Sequence, residues 1–279
     1  MDCYALIGHP VEHSHSPFIH AEFARQTRQA LSYRAMLAPL DGFPNAVRMF
    51  RAAGGRGANV TVPFKLEAYS LATCLTERAK LAGAVNTLTF TDEAIVGDNT
   101  DGIGLVRDLA INLSCPLAAR HVLLLGAGGA ARGVLFPLLQ TRPASLMLAN
   151  RSIGRARELH AAFAPHVGQT AFAAGGFQDI GGRKFDAVIN ATSASLANES
   201  IPLPDSVFAP DALAYDMMYG AGDTPFMAWA RKTGAARIQD GLGMLVEQAA
   251  ESFALWRGMR PDSAPVLSML RGKQQASHR

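Results

Sequence analysis

Residues 122–139, VLLLGAGGAARGVLFPLL, limit what this chain can fold into more than any other stretch. Four apolar residues at 122–125 read as a short buried strand, the kind found in a parallel sheet covered on both faces. A glycine turn follows at once. Gly126, Gly128 and Ala131 fit the G-x-G-x-x-G/A pattern. In that pattern the first glycine makes the tight turn, the second lets backbone approach a pyrophosphate, and the third small residue packs helix on strand. The helix that opens there carries Val134, Leu135 and Leu138, and its free N–H groups and positive dipole end face an anion. Pro137 is expected to kink or shorten it. Taken alone, the glycines would serve packing equally well.

The next unit makes the pattern more specific. Residues 145–149 (SLMLA) read as a second strand that ends in Asn150, Arg151 and Ser152. A fold specific for NAD usually places Asp or Glu about 20 residues after the fingerprint, on the ribose 2′-hydroxyl. Here Asn150 stands at that place, followed by Arg151 and Arg155. A carboxylate would repel a 2′-phosphate, whereas a guanidinium pairs with it bidentately, so these residues ask for NADP. The bland alternative is a solvated, basic helix face.

At 279 residues and 49% hydrophobic content the chain can bury a substantial core and is long enough for two domains. No stretch reaches the roughly 18 uninterrupted apolar residues of a membrane span, and the N-terminus lacks a basic region followed by a long apolar run. The expectation is a soluble globular protein with no membrane partner. Cys3, Cys74 and Cys115 are far apart and odd in number, which suits a reducing cytoplasm better than a disulfide framework. A net charge of +3 without a basic, aromatic-interleaved run points to small anionic ligands rather than nucleic acid. Residues 272–279 (GKQQASHR) read as a polar, disordered tail.

The first hundred residues alternate strand and helix patterns. Strands are expected at 4–8, 32–37, 58–62, 85–90 and 94–98, and helices at 17–27 and 43–53. Residues 102–113 form a helix pattern that could bridge two α/β units. After the fingerprint come helices at 156–163 and 225–233, strands at 185–190, 212–217 and 236–239, and a last large helix. In that helix Leu242, Leu245, Val246, Ala249, Ala250 and Phe253 make one core face.

Four histidines, His9, His13, His15 and His20, crowd the start. A zinc site needs imidazoles on one face, but Pro10 and Pro17 break any regular helix, so no metal is expected. The interleaved Ser14 and Ser16 are better placed to bond a ligand carboxylate. In NVTVPFK, Lys65 stands just past a strand that carries Asn59 and Thr61. Asn86 in GAVNT and Asp101 in GDNTDG end other strands. Each alone reads as a turn former or solvated charge. Together they line strand ends of one unit, as a site for a small hydroxylated ligand requires.

These strings resemble the shikimate dehydrogenase family. The resemblance runs from Gly8 to Phe253 through HSHSP, NVTVPFK, GAVNT, GDNTDGIG, GAGGAARG, NRS with Arg155, INATS, YDMMYG with TPF, and QDGLGMLVEQA. It implies NADP-linked reduction of 3-dehydroshikimate to shikimate, with Lys65 and Asp101 as the catalytic pair. Ser14, Ser16 and Tyr219 would hold the substrate carboxylate, and Asn59, Thr61, Asn86, Asp101 and Gln248 its ring hydroxyls. Gly126, Ala127, Gly128, Gly129 and Ala130 would face the pyrophosphate, with Asn150, Arg151 and Arg155 on the 2′-phosphate. Thr192, Met217 and Gly241 would line the adenosine and nicotinamide path. Ala21 and Ser195 depart from the family pattern, which often has Asn and Gly there.

The implied fold is α/β with two domains and a cleft between them. Residues 1–103, with 240–279 returning, would form the substrate domain, and residues 104–239 a Rossmann-type dinucleotide-binding domain. Alternatives are a dual quinate/shikimate dehydrogenase and a non-catalytic dinucleotide sensor. The protein is expected in the cytoplasm as a monomer or homodimer.

Overall fold

The computed structural model describes residues 1–194, 199–220 and 222–276, so Ser195 lies outside the described residues. The chain divides into two compact units, residues 1–104 with 245–273 and residues 105–244 with 274–279.

The first unit contains β1 (Asp2–Gly8), α1 (Ser16–Thr27), β2 (Leu31–Leu37), α2 (Phe43–Ala52) and β3 (Gly55–Val60). It continues with α3 (Lys65–Leu71), β4 (Cys74–Leu75), α4 (Glu77–Ala82), β5 (Thr87–Phe90) and β6 (Ile95–Asp98). Its sheet runs β2-β1-β3-β5-β6-β4. β1 is parallel to β2 and β3, whereas β5 is antiparallel to both β3 and β6. Two consequences fix the site. The ends of β3 and β6 and the start of β5 share one edge of the sheet. The strand order also reverses around β1 and β3, where open α/β sheets leave a crevice at the carboxyl ends of their strands. One face packs a core of Ile7, Phe43, Phe64, Leu88 and neighbours, with Phe43 and Phe64 stacked at 4.9 Å.

The boundary to the second unit falls inside α5 (Asp101–Arg107), whose last turn widens into a π-turn over Asp108–Asn112. The second unit holds β7 (His121–Leu125), α6 (Gly129–Gln140), β8 (Ser145–Ala149), α7 (Ile153–Phe163), β9 (Ala171–Gly175) and β10 (Phe185–Asn190). β11 (Phe208–Asp216), α8 (Pro225–Lys232) and β12 (Arg237–Gln239) complete it. Its six strands are all parallel, in the order β12-β11-β10-β7-β8-β9, so the strand order reverses between β7 and β10. The apolar run of β7 sits in the middle of this sheet, fully buried from Val122 to Leu125. Such burial is what a near-continuous hydrophobic strand needs.

One expectation is narrowed and one corrected. Of the kink or shortening expected at Pro137, the shortening does not occur, since α6 runs on to Gln140. The missing N–H costs about 3 kcal/mol in a helix interior. Val134, Leu135, Leu138 and Leu139 are buried and offset it. Residues 272–276 are not a disordered tail either. After α9 (Leu242–Arg257) the chain forms a further helix, α10 (Ala264–Ala276). Val266 and Leu270, four residues apart, are sealed on its inner side, and Lys273 Nζ sits 3.3 Å from the ring centre of Phe18.

Candidate active site

Lys65, the first residue of α3, and Asp101, the first of α5, are 36 positions apart in sequence. They meet at the shared edge of the first sheet, with Nζ donating to Oδ2 at 2.5 Å. The lysine side chain is 33% exposed and the carboxylate 18%, so both reach an open surface while staying anchored. Asn86, just before β5, donates from Nδ2 to Asp101 Oδ1 at 2.8 Å. Asp101 therefore receives a proton donor on each oxygen, which fixes the plane of its carboxylate. The Asp101 amide donates to Asn99 Oδ1 at 3.2 Å, tightening the turn that presents it.

Gln248 of α9 joins this group. Its Oε1 lies 3.5 Å from Asn86 Nδ2 and accepts from Thr100 Oγ1 at 3.4 Å. Its Nε2 donates to the Leu245 carbonyl at 2.8 Å. Thr61 follows β3, and its amide donates to the Ile7 carbonyl at 3.0 Å. Asn59 is inside the strand and only 5% exposed. Ser14 and Ser16 sit at the start of α1, where the Ser16 amide donates to Ser14 Oγ at 3.2 Å. The first sheet thus brings Lys65, Asn86, Asp101 and Gln248 into one hydrogen-bonded group. Among the described residues no set of three His, Cys, Asp or Glu is arranged to hold a metal. Of the clustered histidines, His9 bonds the Ala38 carbonyl at 2.9 Å and His20 is buried against Tyr33, their rings stacked at 4.1 Å.

In the second unit the glycine turn sits at the point where the strand order reverses. Gly126 has φ +106°, which excludes other residues without strain, and a Cβ there would press on the Ala191 carbonyl at 3.1 Å. Beside Gly128 and Gly129 nothing stands within 4 Å of where a Cβ would be. That leaves an open cradle at the N-terminus of α6, where a pyrophosphate fits.

Asn150 Nδ2 bonds the Ser152 carbonyl at 2.9 Å. Arg151 is 88% exposed, 3.9 Å from Glu199, and Arg155 is exposed in the first turn of α7, which holds no acid. These cations therefore face solvent beside the β8 end, as a 2′-phosphate requires. Thr192 and Met217 are both tied to Asn190 at the end of β10. Thr192 Oγ1 donates to Asn190 Oδ1 at 2.7 Å, and the Met217 amide to the Asn190 carbonyl at 3.0 Å. Gly241 lies against the Met217 carbonyl, which a Cβ would meet at 2.2 Å. Tyr219, half-buried, has its phenol pushed up by burial and by the nearby Asp240 carboxylate.

Several supporting residues escaped the sequence reading. Asn190 and Asp216, both fully buried at the ends of β10 and β11, bond each other at 3.2 Å. Asp216 also takes Thr224 Oγ1 at 2.6 Å, ordering the loop after β11. A polar residue ending each apolar strand in FDAVIN and ALAYD is the signal that could have found them. Thr87, Thr100 and Ser252 are also fully buried; the first two lie in the strings GAVNT and GDNTDG at strand ends, whereas Ser252 has no such signal.

The chain matches family models for the shikimate dehydrogenase substrate binding domain over residues 6–88 and for shikimate / quinate 5-dehydrogenase over residues 108–198. A model of the shikimate 5'-dehydrogenase C-terminal domain matches residues 241–269. It is 65% identical to the shikimate dehydrogenase (NADP(+)) of Aromatoleum aromaticum, over 97% of both chains. The crystal structure of an Ael1 enzyme from Pseudomonas putida is 50% identical with a TM-score of 0.92, covering 97% of this chain and 98% of that one. Shikimate 5-dehydrogenase from Thermus thermophilus, solved in complex with NADP(H) and shikimate, is 32% identical with a TM-score of 0.85, covering 97% and 99%. At this identity and coverage the chain belongs to the shikimate dehydrogenase family.

Proposed function

We propose that this protein catalyses the reversible, NADP-linked reduction of 3-dehydroshikimate to shikimate in aromatic amino-acid biosynthesis. The observation that carries this reading is the Lys65–Asp101 pair, 2.5 Å apart and open on one side. When bound, NADPH supplies the hydride. As the ketone oxygen gains charge it needs a proton, and Nζ of Lys65 holds one. Asp101 and Asn86 keep that nitrogen in place. In the reverse direction Lys65 takes the hydroxyl proton.

In the first unit, Thr61, Asn86, Asp101 and Gln248 hold the ring hydroxyls, and Ser14 and Ser16 hold the carboxylate. Asn59, in β3, is assigned with them to the ring hydroxyls. In the second unit, Gly126 to Ala130 hold the pyrophosphate and Asn150, Arg151 and Arg155 the 2′-phosphate. Thr192, Met217 and Gly241 line the rest of the dinucleotide path. We thus assign substrate binding to residues 1–103 with 240–279 and NADP binding to 104–239. Free thiols at Cys3, Cys74 and Cys115 suit a reducing cytoplasm. We expect a monomer or homodimer, which sedimentation distinguishes.

The test is initial rate by cofactor absorbance, crossing shikimate or quinate with NADP or NAD. A rate confined to shikimate with NADP is expected. Comparable rates with quinate would move the protein to the dual-specificity branch. NADP binding without turnover in any combination would make it a sensor.

A further inference from the structure

We propose that Tyr33, Asn59 and Thr87 form a one-way hydrogen-bond relay that holds Asp101, and through it Lys65, in working orientation. Tyr33 and Thr87 are then positioning residues for the reaction proposed above, on which this inference rests.

The links run from β2 to the start of α5. Tyr33 OH donates to Asn59 Oδ1 at 2.9 Å, and Asn59 Nδ2 donates to Thr87 Oγ1 at 3.1 Å. Thr87 Oγ1 donates to Asn86 Oδ1 at 2.9 Å, and Asn86 Nδ2 donates to Asp101 Oδ1 at 2.8 Å. Lys65 closes the chain on Oδ2.

Fixed groups set the direction of each link. Asn59 Nδ2 also reaches the Asn86 backbone carbonyl at 3.3 Å, an acceptor only, so the Asn59 amide cannot be turned round. The Asn86 amide is held by the Thr100 backbone N–H, which donates to its Oδ1 at 2.8 Å. Its nitrogen must then point at Asp101. Ser252 and Thr100 are the other hydroxyl neighbours of Thr87, at 2.9 and 3.3 Å; Ser252 has its own proton on the Gln248 carbonyl at 3.0 Å and Thr100 has its own on Gln248 Oε1 at 3.4 Å. Ser252 Oγ accepts from Asn59 Nδ2 at 2.9 Å, which leaves the Thr87 proton for the better acceptor, the Asn86 amide oxygen.

Burial makes the chain consequential. Asn59, Asn86 and Thr87 are 5%, 3% and 0% exposed, so water cannot replace a lost link. Successive bonds of one sense polarise each other, strengthening the donor that reaches the carboxylate. At the far end the Tyr33 ring is clamped by His20, stacked at 4.1 Å and 7°. Burial raises the Tyr33 phenol well above its ordinary value, so it stays a neutral donor.

The test compares Thr87→Val, Thr87→Ser and Tyr33→Phe by steady-state kinetics with shikimate and NADP, each melted in parallel. Thr87→Val, which keeps shape and removes the hydroxyl, should lower kcat by about 3- to 10-fold, the scale of one hydrogen bond, with KM within about 2-fold. Thr87→Ser should restore at least about half of the wild-type kcat, since it keeps the donor. Tyr33→Phe should lower kcat similarly. The double variant Tyr33→Phe/Thr87→Val should fall no further than the worse single, because both cut one chain. Wild-type kcat in Tyr33→Phe and Thr87→Val, or independent multiplicative losses, would overturn the relay while leaving the activity standing. No wild-type turnover would overturn the functional reading and the relay with it. If Thr87→Val does not fold, Tyr33→Phe alone decides.

Discussion

Lys65 is useful because it is neither free nor sealed: Asp101 holds its Nζ at 2.5 Å while a third of the side chain stays exposed. Lys65→Ala should lower kcat by about 10²- to 10⁴-fold, the usual worth of a positioned acid-base group, with an unchanged melting curve. A loss below tenfold would take the proton transfer away from Lys65. His20 is the opposite case, a fully buried imidazole with no well-formed hydrogen bond among the described residues, where the nearby Asn59 side chain favours the charged form too weakly to offset burial. Burial pushes its pKa from 6.5 down to about 3. The unfolded chain therefore binds a proton below pH 6.5 that the folded chain refuses until about pH 3. Stability is complete above that upper value and is lost as the pH falls through the window, by about 2 kcal/mol at pH 5. Urea unfolding at pH 7 and pH 5 should show that loss, and a His20→Phe variant a shallower slope. Lys65 and Asp101 were legible in sequence because their strings end strands. His20 was visible only as one of four clustered histidines, since nothing local says that a ring 13 residues away will stack on it.

Short helices show where local signals stop. α4 was not expected, although Thr76 caps it by accepting the Ala79 amide at 3.3 Å and Gly83 ends it in the left-handed region, a readable start and stop. Its importance lies in Arg78, which grips Asp98 at the end of β6 through two bonds of 2.6 and 2.8 Å and reaches Glu251 of α9 at 3.1 Å. Arg260 extends the clamp, bonding Glu251 at 2.5 Å and Glu247 at 3.2 Å. The clamp ties the β6 end, three residues before Asp101, to the helix that carries Gln248. Arg78→Met keeps most of the apolar stem and leaves the Asp98 carboxylate, 4% exposed, without its cation. Urea denaturation should show a loss of about 2–4 kcal/mol, as for a broken buried pair. A loss under about 0.5 kcal/mol would class the pair with ordinary surface bridges. α10 was missed for a different reason. Its large apolar residues are confined to 266–270, and Gly272 interrupts the polar run that follows, so only the packing of Val266 and Leu270 identifies it as a helix.

At the scale of the whole molecule, one unit carries the Lys65 group and the other the dinucleotide turn, so a ligand of either should stabilise the fold it binds. NADP at 100 times its Kd should add about 2.7 kcal/mol. NAD at the same concentration should add much less, because it lacks the phosphate assigned above to Arg151 and Arg155. In Arg151→Ala the NADP concentration needed for the same rise in Tm should increase about 10- to 100-fold, the worth of a charged hydrogen bond. An equal weakening toward NAD would refute the phosphate role. The sequence by itself determined the α/β class, the glycine turn after β7, the cation in place of an acid after β8, and the polar strand ends. Each of these is a local pattern of period, turn chemistry or charge. Only the tertiary structure decided which strand ends meet. The antiparallel placing of β5 between β3 and β6 brings Lys65, Asn86 and Asp101 to one edge. It also sets buried Asn59 and Thr87 in a line between half-buried Tyr33 and that edge. The links between separate elements span 15 to 36 positions of sequence, and strand order and burial set them rather than any local preference.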